Sequence, residues 1–177
     1  MKNRKLILAL FAGVCLIQWA VLGGDVLTRE NIQTVGVKHL FKCQGYDPVD
    51  VFRGNYIALR FDIENDPFIP DEYDSTRYSR EYFVTFRVDS LGYSKLDAVT
   101  IEQPSTDDYL KMEASYYGVG SSRIEVPFNK YFVNEDKAEE IERQYQEATR
   151  ANSNVETYLE VYIHEGKFAV GELVFKP

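Results

Sequence analysis

Apolar and polar positions divide this chain into one long unbroken apolar run and, after it, a series of short alternating ones. Residues 6–22 carry no charge and only Gln18 as a strongly polar side chain, with Lys2, Arg4 and Lys5 standing before them. At about 1.5 Å per residue the run covers roughly 25 Å, and with Gly23, Gly24 and snorkelling lysines it spans a bilayer as one helix. Trp19 falls near the exit interface, where indoles are favoured. The competing reading is a cleaved secretory peptide, for which Val21, Leu22 and Gly23 are a weak cleavage site. Basic residues before the run and Asp25 after it place the remainder of the chain outside the cytoplasm, as a single-pass protein of the inner or cytoplasmic membrane.

Residues 25–35 are polar, with scattered Val26, Leu27 and Ile32, and read as a juxtamembrane linker or a continuation of the anchoring helix. A period of two then takes over. Residues 37–43 and 56–63 alternate and are expected to pair as neighbours across the turn between them. Tyr82, Val84, Phe86 and Val88 share one face of a strand, and the turn Asp89, Ser90, Leu91, Gly92 returns residues 93–102 as its hairpin partner. Leu110, Met112 and Ala114 alternate with Lys111, Glu113 and Ser115. A strand over 123–133 is interrupted by Pro127, which lacks an amide hydrogen and marks an edge or a bulge. The period changes at Asn134, a helix cap followed by Glu135 and Asp136, after which Ala138, Ile141, Tyr145 and Ala148 form an apolar stripe. A hairpin around Glu165 and Gly166 ends the chain.

The expected fold is therefore mainly β, a barrel or sandwich-like domain with one α-helix in its C-terminal half, preceded by a single N-terminal transmembrane helix. The division is 1–24 for the cytoplasmic tip and anchor, 25–35 for the linker and 36–177 for the exported domain.

Composition adds two constraints. Among 177 residues, 13 Tyr and 11 Phe favour strands, and the 2 cysteines cannot form a disulfide framework, since Cys15 lies in the apolar run and Cys43 in the domain. Setting aside Lys2, Arg4 and Lys5 leaves 17 of the 20 basic residues against all 28 acidic ones, a charge of about −11. That excess argues against nucleic acid and anionic headgroups as ligands and is explained by solubility.

Candidate chemistry is sparse. The acidic stretch 62–74 reads as a solvated loop, because calcium loops need a glycine at the sharp turn where Pro67 intrudes. His39, with lysines nearby on its strand and no second histidine, reads as an exposed or edge position. No spacing of cysteine or histidine suits a metal, and no cofactor is implied. The one cluster of functional residue types is Asp47, Asp50, Arg53, Asn55 and Tyr56. It reads as a fixed backbone corner, with Asp50 pairing with Arg53 and Gly54 taking a positive φ.

The order Arg53, Gly54, Asn55, Tyr56, two residues, Leu59, one residue, Phe61, preceded by Asp47, Pro48 and Asp50, resembles the motif of the GDYXXLXY family. Asn55 stands where the family has aspartate, and Phe61 where it has tyrosine. Tyr131, Phe132, Val133, Asn134 and Glu135 resemble a second segment found in such proteins. The resemblance implies a membrane-anchored bacterial protein of uncharacterised function, of a kind often encoded beside a polytopic membrane protein, which is the expected partner. On that basis Asp47, Asp50, Arg53, Gly54, Asn55, Tyr56, Leu59 and Phe61 are the expected motif and partner-binding residues, and an interaction or assembly module is the expected function. The alternative is a membrane-anchored hydrolase using Asp50 and Arg53. Asn55 weighs against it, because an amide keeps a turn-capping acceptor but removes a general base.

Overall fold

The apolar run forms only part of a longer helix. In the computed structural model, which describes residues 2–44, 56–69, 79–116, 122–133, 135–149 and 155–176, α1 extends over Lys2–Val35. Its 34 residues make a rod of about 51 Å. The stretch Leu10–Val35 is long and apolar enough to cross a membrane. Residues 25–35 continue the same helix, and Leu8, Phe11, Leu16, Ile17 and Trp19 are exposed along it. Among the described residues only the far end touches the domain, where Ile32 is buried and Gln33 Nε2 donates to the Val170 carbonyl at 3.3 Å.

Gly36 stops the helix. Its amide donates to the Ile32 carbonyl at 2.8 Å, and a β-carbon there would lie 2.5 Å from that oxygen and 3.0 Å from the Ile163 carbonyl. The absence of a side chain lets α1 pass directly into the first strand with no intervening loop.

Among the described residues, nine strands form a curled half-barrel. β1 (Val37–Lys42), β8 (Glu156–His164) and β9 (Lys167–Lys176) make one antiparallel sheet in the order β1-β8-β9. β2 (Tyr56–Ala58) and β7 (Lys130–Phe132) make a two-stranded ribbon. β3 (Ser79–Val88), β4 (Ser94–Thr100), β5 (Tyr109–Tyr116) and β6 (Ser122–Glu125) form the third sheet, ordered β4-β3-β5-β6. The later helix, α2 (Glu135–Thr149), buries Tyr145 and exposes Arg143, which pairs with Glu140 and Glu147 on its own surface.

The β3–β4 and β8–β9 hairpins follow the alternation of the sequence, each with glycine at positive φ in its turn, 85° at Gly92 and 76° at Gly166. Asp89 Oδ1 fixes the first turn by accepting from the amides of Leu91 and Tyr93 at 2.9 and 2.8 Å. Two expectations are corrected. Residues 37–43 and 56–63 do not pair as strands: a single Cys43–Phe61 bridge, followed by the Gln44 amide to Arg60 carbonyl bond, joins their backbones, because β1 pairs along its length with β8. The inward side chains of β8, Leu159, Val161 and Ile163, are fully buried and offer β1 a far longer apolar partner than the three-residue β2. The expected strand over 123–133 is two strands in different sheets, since the chain turns at Pro127 between β6 and β7.

A phenylalanine cluster joins the sheets. Phe41 of β1 lies 5.2 Å from Phe86 of β3 and 5.1 Å from Phe128, and Phe128 lies 5.3 Å from Phe61 and 5.5 Å from Phe168 of β9, centroid to centroid. These edge-on and tilted contacts are the favourable ones for aromatic quadrupoles. On the outer side, Lys38 pairs with Glu160 and Lys42 with Glu156, while the hydroxyls of Tyr162 and Tyr158 donate to the same two carboxylates. Tyr93 stacks on Tyr158 at 4.3 Å beneath the Lys176 ammonium, tying the β3–β4 turn to the other sheet.

Candidate functional site

The motif divides into core and surface positions. Asp47, Asp50, Arg53, Gly54 and Asn55 lie outside the described residues. Of the remainder, Leu59 and Phe61 are buried, Leu59 also donating its amide to the Asn129 carbonyl at 2.8 Å. Tyr56 is half-buried at the start of β2 and faces outward beside Phe132, its register partner on β7, with ring centroids 5.8 Å apart. Two apolar motif positions therefore anchor the ribbon, and the tyrosine is displayed by it.

Beside that tyrosine the half-barrel stays open. Among the described residues β6 pairs only with β5 and β7 only with β2, and the chain between them turns at Pro127 beside a groove of about 760 Å³. Alternation along the ribbon puts Tyr56, Ala58 and Arg60 on one face with Lys130 and Phe132. Lys130 Nζ lies 5.5 Å from the centre of the Tyr56 ring. The facing wall carries Lys111, Glu113, Arg123 and Glu125. Glu113 stands directly opposite Glu125 on one side and Glu81 on the other, a row of like charges across three strands. Apolar Leu59, Met112 and Val126 complete the lining.

Glu64 corrects the expectation of a fully solvated acidic stretch. The segment Asp62–Asn65 forms a 3-10 turn that buries Glu64 at the edge of the groove, its Oε2 3.9 Å from Arg123 Nη2. Burial raises its carboxyl above the ordinary value, and the positive charges of Arg123 and Arg60 oppose that shift. Among the described lining residues there is no serine, threonine, cysteine or histidine, and the groove offers charges, an aromatic platform and backbone. No three histidine, cysteine, aspartate or glutamate side chains among the described residues come together as a metal would require.

His39, although its strand β1 does stand at the edge of the β1-β8-β9 sheet, is buried, against the expectation of exposure. It is 1 % exposed, between Phe41 and Phe86, with Nδ1 2.8 Å from Ser94 Oγ and Nε2 2.8 Å from Asp108 Oδ1. The carboxylate only accepts, so Nε2 carries a hydrogen, and in the neutral ring Nδ1 accepts from the Ser94 hydroxyl. Those residue types are the ones acyl-transfer enzymes use, but a nucleophile must reach its substrate, and Ser94 is 5 % exposed beneath a 1 % exposed base. The arrangement is a buried tie between β1, β4 and the segment leading into β5. Alternation held the signal: His39 shares a strand face with Phe41 and Cys43, while Lys38 and Lys42 occupy the other.

No curated protein and no solved structure matches the chain. The family model described as GDYXXLXY protein matches residues 18–173, which include the second half of α1, the displayed Tyr56 with its buried Leu59 and Phe61, and the whole groove. This chain belongs to the GDYXXLXY protein family.

Proposed function

We propose that the protein is a single-pass, membrane-anchored interaction module whose domain lies on the extracytoplasmic side of the inner or cytoplasmic membrane and acts with a polytopic membrane protein. The observation that carries this reading is the loop-free junction at Gly36, which fixes the groove-bearing domain to one end of the apolar helix. A rigid mount suits a domain that must present a surface at a set height. The uncharged residues 6–24 account for about 28 Å of helix and residues 25–35 for about 16 Å more, which sets the domain just beyond the headgroups. The exposed apolar side chains of α1 need a bilayer or a neighbouring helix around them. Lys2, Arg4 and Lys5 before the run and Asp25 after it supply the orientation. A groove lined by charges of both signs beside an aromatic platform suits the binding of a charged segment.

The test is crosslinking of the full chain in native membranes, followed by purification and identification of what travels with it. A polytopic membrane protein recovered in stoichiometric amount is expected. Recovery of the chain alone, together with an activity abolished by Asp50→Asn, would replace this reading with the hydrolase.

A further inference from the structure

We propose that the outer face of the β2–β7 ribbon docks an extended peptide segment that carries an apolar residue followed by carboxylates at every second position. The proposal rests on the interaction-module reading and identifies the segment as an extracytoplasmic loop of the membrane partner.

Three features of the ribbon point to this ligand. Its two strands are three residues long, marginal by themselves, yet they display Phe132 at 70 % exposure with Tyr56 beside it. Exposed aromatic platforms of this kind are where binding energy concentrates when a partner covers them. Next along the same face come Ala58 opposite Lys130, then Arg60, so a shallow step is followed by two cations, the second of which also acts on the Glu64 carboxyl. In a domain whose acidic residues far outnumber its basic ones, this face is locally reversed in sign.

Spacing selects an extended occupant. Same-face side chains recur about every 7 Å along a strand, so a peptide strand matches the ribbon's own period. Its apolar side chain covers Tyr56 and Phe132 while carboxylates two and four residues on meet Lys130 and Arg60. The opposite groove wall, with Glu113 and Glu125 in one row, favours basic side chains at the intervening positions. Among the described residues β6 and the β2–β7 ribbon each keep an unpaired edge, which allows such a strand to add by backbone pairing as well.

Two end-blocked heptapeptides of equal composition make the test, with full-length protein held in uncharged detergent micelles. The first reads Phe-Lys-Glu-Lys-Glu-Lys-Glu and puts Phe and all three Glu on one face; the second, Phe-Glu-Lys-Glu-Lys-Glu-Lys, puts Phe with Lys. The first is expected to bind about tenfold more tightly, and Lys130→Glu, an exposed change that leaves the core intact, is expected to abolish that preference. Equal binding of the two peptides, binding of neither, or a preference that survives Lys130→Glu overturns the docking face. In native membranes, a photoreactive benzoylphenylalanine at Phe132 is expected to crosslink to an acidic loop of a membrane protein. A lipid adduct, or an adduct to a second copy of this chain, overturns it. If the partner is recovered while the peptide test fails, this face alone is overturned; if no partner is recovered while the peptides discriminate, the membrane-partner reading is what fails.

Discussion

His39 and Asp108, 69 residues apart, share a 2.8 Å hydrogen bond that runs from the buried imidazole to a partly exposed carboxylate, and Ser94 takes the other ring nitrogen at the same distance. The imidazole thus ties the β1-β8-β9 sheet to two segments of the four-stranded one.

Removing that ring leaves two polar partners stranded and a void between Phe41 and Phe86. His39→Ala is expected to lower the unfolding free energy by about 3 kcal/mol, and Ser94→Ala by about 1 kcal/mol, read by urea unfolding in micelles followed by near-ultraviolet circular dichroism. Equal effects of the two changes would contradict the bridge.

Glu64 gives stability a pH dependence of definite sign. Because burial raises its carboxyl in the folded state, the native protein holds this proton more tightly than the unfolded chain does. Its contribution to stability therefore declines as pH rises from the ordinary carboxylate range through the raised value. Glu64→Gln removes the titration, so the difference in unfolding midpoint between variant and wild type should grow in the variant's favour over that interval. A difference independent of pH would count against a buried carboxyl.

The junction at Gly36 tolerates no side chain. Gly36→Ala drives a methyl group against the Ile32 and Ile163 carbonyl oxygens, and a cost of about 1–3 kcal/mol is expected, read as a lowered thermal midpoint. Gly92→Ala, at a turn with open space around it, should cost less than that and act only through its backbone conformation.

Cys43 is enclosed, and burial pushes its thiol well above the ordinary range. Iodoacetamide should modify it at least about a hundredfold more slowly in the folded protein than in denaturant, as mass spectrometry of the peptide containing Cys43 would report. Prompt modification under native conditions would contradict the Cys43–Phe61 bridge.

Much of this architecture is legible in the sequence because each strand buries one face. The alternation from Tyr82 to Val88 and from Leu110 to Ala114 is local, and so are the turns at Gly92 and Gly166; a sequence carries such signals directly. Partner choice is not local. Nothing near residue 40 reveals that β1 will lie beside β8, and Pro127 signals an interruption without saying that the chain changes sheets there. His39 misleads because its flanking lysines suggest exposure while its place in the period points inward, and its partners Ser94 and Asp108 come together only once both sheets exist. The motif reads from sequence as a corner: Leu59 and Phe61 are core positions, Tyr56 is on display, and Asp47 to Asn55 fall outside the described residues.

The unbroken passage from α1 into β1 makes the helix an axle for the domain. A turn of the rod about its long axis carries the Tyr56–Phe132 face around by the same angle, and a tilt of the rod swings it through an arc. One residue inserted within 25–35 would rotate that face by about 100° while lifting it only about 1.5 Å, so the bearing of the domain is far more sensitive to stalk length than its height is.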